Sequence, residues 1–145
     1  MVTDGDELDR LVARLPRKRL DNPSLLAETG KRLQIEWPDD YVRVISDHNG
    51  VEGDIGDWLL VLSSVEDLPD YNDPDLMEFF PGLVIIGGDG GGEYLALDRA
   101  TGEVLLVPAI GSEEDWLVLG SNLIEAFQRM ERGEVFDSPH READA

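Results

Sequence analysis

The stretch LVIIGGDGGGEYLALD, residues 83–98, joins two strands through a loop made almost entirely of glycine. Leu83, Val84, Ile85 and Ile86 form an apolar run too short for an amphipathic helix and predict a strand buried on both faces. Gly87, Gly88, Gly90, Gly91 and Gly92 follow. Glycine takes positive φ at no steric cost, so the chain can turn sharply here or admit another backbone at close range. Asp89 and Glu93 are the only charges of the loop, both negative. The residues DRATGE, 98–103, then predict a tight turn with Gly102 at positive φ. Strands at 83–87, 93–98 and 103–107 thus make an antiparallel meander, and a strand at 58–62 is expected to pair with one of its edges.

Upstream, the pattern is helical. Leu8, Leu11, Val12 and Leu15 fall at i, i+3, i+4 and i+7, which predicts a helix over 4–15, with Asp4 and Glu7 as a variant capping box. Asn22 and Pro23 start a second helix that runs to about Gln34. Trp37 and Pro38 open a third, which places Tyr41, Val44, Ile45 and His48 on one face and stops at Asn49 and Gly50. The residues VEGDIGD, 51–57, read as a loop. Downstream of the meander come an acidic loop tip at Glu113, Glu114 and Asp115, a short extended piece at 116–119, and a closing helix near 122–132. Residues 137–145 are expected to be a disordered tail. Helices first, strands in the middle and a helix last argue for an α+β fold, with 1–136 as a single domain.

Composition narrows function. There is no cysteine, so no disulfide framework and no thiolate chemistry. The N-terminus lacks the basic and apolar regions of a secretory signal. No apolar run approaches the roughly 20 residues that span a bilayer. A cytoplasmic location is expected. Against 12 basic residues stand 32 acidic ones, a net charge of −20. That balance disfavours nucleic acid and anionic membranes, whose phosphates need Lys and Arg. It would steer in a basic protein partner, with association that weakens as salt rises. The plain alternative is a surface that is only well solvated.

Specific chemistries fare poorly. A dinucleotide fingerprint needs glycines at i, i+2 and i+5, which GGDGGG does not supply, and no Lys-Ser/Thr follows for a P-loop. Asp47, Asn49, Glu52, Asp54 and Asp57 are oxygen ligands close in sequence, yet Val51 occupies the third ligand position of an EF-hand register and no glutamate closes it. His48 sits on a helix end and His140 in the tail; no G-x-S-x-G elbow is present. Trp37, Trp58 and Trp116 suit core packing, although Trp58 beside Asp54 and Asp57 would make an interface anchor if it faced solvent.

Taken together, Trp37-Pro38-Asp39-Asp40-Tyr41, then Asn49-Gly50, then Ile86-Gly87-Gly88-Asp89-Gly90-Gly91-Gly92-Glu93-Tyr94, followed by a short strand and a closing helix, resemble the SMI1/KNR4 (SUKH) superfamily over residues 22–132. Trp37 stands where leucine is commoner, and the helix at 4–15 lies outside the pattern. The resemblance implies a non-enzymatic binding domain, without catalytic residue, metal or cofactor. Most bacterial members are similar to immunity proteins that neutralise a cognate toxin, often a basic nuclease. Fungal members act instead as regulatory scaffolds, which is the alternative. A metal-dependent hydrolase built on the acidic cluster is a more distant third. For the immunity reading, the expected contacts are Asp54, Asp57, Trp58, Asp89 and Glu93, presented by loops at 50–56 and 87–92.

Overall fold

Six antiparallel strands stand in chain order across one sheet among the residues described by the computed structural model, 3–135. They are β1 (Glu52–Ile55), β2 (Trp58–Leu62), β3 (Leu83–Gly88), β4 (Glu93–Asp98), β5 (Val104–Pro108) and β6 (Leu117–Gly120). The helices are α1 (Asp4–Leu11), α2 (Pro23–Leu33), α3 (Asp39–Asp47), two single turns α4 (Leu68–Tyr71) and α5 (Pro74–Met77), and α6 (Leu123–Glu131). The fold is α+β, as expected, and β2 joins the meander at β3. The expected tail lies outside the described residues.

Strand alternation divides the side chains between two apolar layers. Leu60, Leu62, Val84, Ile86, Leu95, Leu97, Val104 and Leu106 face one side and meet Leu8, Tyr41, Ile45, Phe127 and Met130 from the helices. Leu83, Ile85, Ala96, Leu105 and Val107 face the other. There Phe80 covers them, with Tyr71, Leu76, Met77, Tyr94 and Trp116 packed alongside. This second cover comes from the segment between β2 and β3. It explains why β3 is buried along its whole length.

The expected loop at 51–57 is a correction. Residues 52–55 form β1, paired with β2 in the register Glu52↔Val61, Asp54↔Leu59 and Ile55↔Trp58. Ile55 is buried, while Glu52 and Asp54 are exposed. Gly56, at φ 60°, occupies the first central position of the hairpin turn, the place where a type II′ turn requires glycine. At Gly53 a side chain would stand 2.9 Å from Leu15 Cδ2, so the Leu15 side chain would have to shift.

Two further differences concern helix ends. α1 is capped by Thr3, whose Oγ1 accepts from Asp6 N–H while the Asp6 carboxylate accepts from Thr3 N–H, and it stops at Leu11. Val12 and Leu15 stay buried beyond that end. The third helix ends at Asp47, and Asn49 does more than stop it. Its side chain accepts from Val65 N–H at 2.8 Å and donates to Glu66 at 3.0 Å, tying the helix end to the chain beyond β2. That bond holds the Glu66 carboxyl below its ordinary range.

α1 is bound into the molecule by polar groups as well as apolar ones. Arg10 makes two hydrogen bonds to Glu131 of α6, at 2.9 and 3.0 Å, and two to Glu7. Gln128 donates to Glu7 at 2.9 Å. Beneath this network Leu8 and Leu11 are buried, each worth roughly 1.5–3 kcal/mol over exposure.

Candidate functional site

The register sets which loops share an end of the sheet. Val61 faces Gly88 and Tyr94 faces Val107, so the β1–β2 turn, the β3–β4 loop and the β5–β6 connection all lie at the same end. A hydrogen bond from Ala109 N–H to Gly92 C=O, 2.7 Å, joins two of them directly. Asp57, Asp89, Glu113, Glu114 and Asp115 stand on these three loops, and none of the loops contains Lys or Arg. Asp57 and Asp89 therefore stand on loops at the same end of the sheet. The acidic tip at 113–115 is an addition that chain separation concealed.

Two glycines at the start of this stretch are required by close backbone approach and a third by its backbone conformation. A side chain at Gly87 would collide with the carbonyl of Val61, and one at Gly88 would stand 2.5 Å from the carbonyl of Glu93. Gly90 takes φ 76° and lies against Leu59 and Val61. Asp89 folds back on its own loop, accepting from Gly91 N–H at 2.8 Å and from Glu93 N–H at 3.3 Å in an Asx turn. It is half-buried, with part of its role in shaping the loop.

The remaining expected contacts differ in how they are displayed. Asp57 is exposed in the turn. Asp54 is exposed on β1, with Arg14 at 3.8 Å. Glu93 is only 8% exposed, so the loop does not present it to solvent as expected. It begins β4, and alternation puts it on the helix-covered face with Leu95 and Leu97. Trp58 is half-buried and packs on the helix-side core. The outward positions on β2 belong instead to Leu59, 39% exposed, and Val61, half-buried. Recognising β1 as a strand would have revealed this, because the hairpin register alone decides which of Trp58 and Leu59 faces out.

At the opposite end of the sheet, a cleft of about 730 Å³ opens between α1, α3, the β4–β5 turn and the start of α6, and none of the expected contacts lines it. Several of its charged groups are tied to the fold, although one oxygen of Asp40, Oδ1, is buried without a hydrogen bond among the described residues. Asp40 accepts from Leu123 N–H at 2.8 Å, and Asp98 accepts from Ala100 and Thr101 N–H. Arg43 holds Asp9 through two hydrogen bonds, while Arg99 donates to Leu33 C=O. Asp9 is held below the ordinary carboxyl range by Arg43.

Among the described residues, no three His, Cys, Asp or Glu side chains are grouped to hold a metal ion. Asp47 lies 3.5 Å from Arg17, and Asn49 is taken by Val65 and Glu66. His48 is buried, with Nδ1 2.8 Å from Pro16 C=O, a structural contact rather than an open base. No described helix is long and apolar enough to cross a membrane. Comparison with curated proteins returned no match. Over residues 22–129 the chain matches the SMI1 / KNR4 family (SUKH-1), and it belongs to that family.

Proposed function

We propose that the chain is a non-enzymatic binding protein that captures and neutralises a cognate basic toxin domain, in the manner that the family resemblance implies for bacterial members. The observation that carries this reading is that three loops at one end of the sheet hold five carboxylates and no Lys or Arg of their own, with Arg14 alone, among the described residues, donating to the β1–β2 turn, at Gly56 C=O. Such a surface attracts Lys and Arg side chains and offers carboxylates where a nuclease would otherwise hold phosphates. Asp57 and Asp89 with the tip at 113–115 form the leading contact set, and Asp54 extends it along β1. Glu93 supports the loop from within.

Association is expected to be fast and to weaken with ionic strength. Co-expression with the product of the adjacent upstream reading frame, followed by purification through a tag on this chain, is the direct test. Retention of a basic protein at low salt, and its release by salt, supports the reading. Failure to retain any basic product overturns it.

A further inference from the structure

The outer face of the β1–β2 hairpin has no cover. The segment that packs over β3, β4 and β5 carries Phe80 onto Tyr94 and Trp116, at ring-centroid distances of 5.8 and 6.4 Å. It leaves Leu59 39% exposed and Val61 in partial contact with solvent. Directly across the hairpin, Asp54 pairs with Leu59 and Glu52 pairs with Val61, and paired residues of an antiparallel ladder share a face. Gly90 closes one flank of this strip, because a side chain on it would stand 3.4 Å from Leu59 and 3.5 Å from Val61. Two aliphatic side chains thus lie between a row of carboxylates and a glycine that leaves them room.

We propose that this strip is the apolar centre of the docking surface, and that its occupant is a basic protein surface presenting an aliphatic or aromatic side chain flanked by Lys or Arg. The inference rests on the partner being basic, as proposed above, and adds where its apolar anchor sits. Charge complementarity selects the occupant. Glu52 and Asp54 line one side of the strip, Asp54 with Arg14 at 3.8 Å, so a flanking cation on the partner gains on that row while its apolar side chain is removed from water. A second copy of this chain is the wrong occupant, since it would bring the same acids and a net charge of −20 against them. Trp58 is not the anchor; its ring is turned to the core and the neighbouring residue takes its place.

The test uses the full chain, isotope-labelled for amide shift mapping, with two five-residue probes: acetyl-Lys-Leu-Lys-Leu-Lys-amide and acetyl-Lys-Ser-Lys-Ser-Lys-amide. The leucine probe is expected to shift amides at 52–54, 59–61 and 90, and to bind about tenfold more tightly than the serine probe. Leu59→Ser, and separately Val61→Thr, should bring the two probes to similar affinity without altering the rest of the amide spectrum. Equal binding of both probes by the parent chain overturns the apolar anchor and leaves the basic-partner reading standing. Leucine-probe shifts confined to another face do the same. Absence of binding by either probe at low salt overturns both.

Discussion

Arg10 of α1 closes a bidentate pair with Glu131 at the far end of α6 while it also holds Glu7 one turn ahead of itself. Arg10 and Gln128 together hold the Glu7 carboxyl down to about 2, well below its ordinary 4.5. A depressed carboxyl stabilises the fold only while it is ionised. Its contribution is therefore complete above about pH 4.5 and is lost as pH falls towards about 2. Glu7→Gln should melt below the parent chain at pH 7, and the gap should close across that window. Thermal melts of the two proteins at matched pH cancel the general relief of charge repulsion and isolate this term. A gap that persists at pH 2 counts against it.

The glycines of the central loop should separate into two groups. Gly87→Ala forces a methyl against the Val61 carbonyl and should destabilise by about 1–3 kcal/mol. A methyl at Gly92 meets nothing within 4 Å, so Gly92→Ala should stay within about 0.5 kcal/mol of the parent. Urea unfolding of the two variants decides it; equal losses would show that the close approach is not what demands glycine.

Asn72 replaces a missing piece of strand. β2 pairs with β3 only at Gly87 and Gly88, so the Ile85 peptide groups lack a strand partner on that side. The Asn72 side chain accepts from Ile85 N–H at 2.7 Å and donates to Ile85 C=O at 2.9 Å, inside the protein. Asn72→Leu would strand both groups and should cost about 2–4 kcal/mol, read by urea unfolding. Amide exchange at Ile85 should accelerate with it.

Tyr41 presents the opposite case. It is fully buried against Trp37, its ring centroid 4.8 Å away, and its hydroxyl makes no hydrogen bond among the described residues. Burial alone pushes its phenol above the ordinary range. Tyr41→Phe should leave the melting temperature unchanged or raise it, because the burial of an unbonded hydroxyl is relieved. A fall of several degrees would show that the hydroxyl has a partner.

The meander was legible because an apolar run, a glycine loop and a tight turn are local signals, and nothing in the core competes with them. β1 was hidden because it is four residues long, has Gly53 where an inward side chain would show the alternation, and runs straight into a turn at Gly56. From that one hidden strand followed the misplacement of the outward residue, since Trp58 and Leu59 exchange roles on a shift of one position. Glu93 shows another boundary. A carboxylate at the end of a glycine loop reads as displayed, and only the packing around β4 makes it interior. Residues 113–115 joined the site through pairing across the sheet, which adjacency along the chain does not encode.

The family match begins at residue 22, yet Leu8, Leu11, Val12 and Leu15 share one apolar core with the strands and with Phe127 of α6. The edge of inherited similarity and the edge of the shared core therefore fall at different places along the chain. A fragment trimmed to the matched segment would keep every recognisable motif but expose a greasy scar on α3 and α6, inviting self-association of an otherwise mutually repelling molecule. The leading helix is thus the portion that sequence kinship overlooks and that covers this apolar ground.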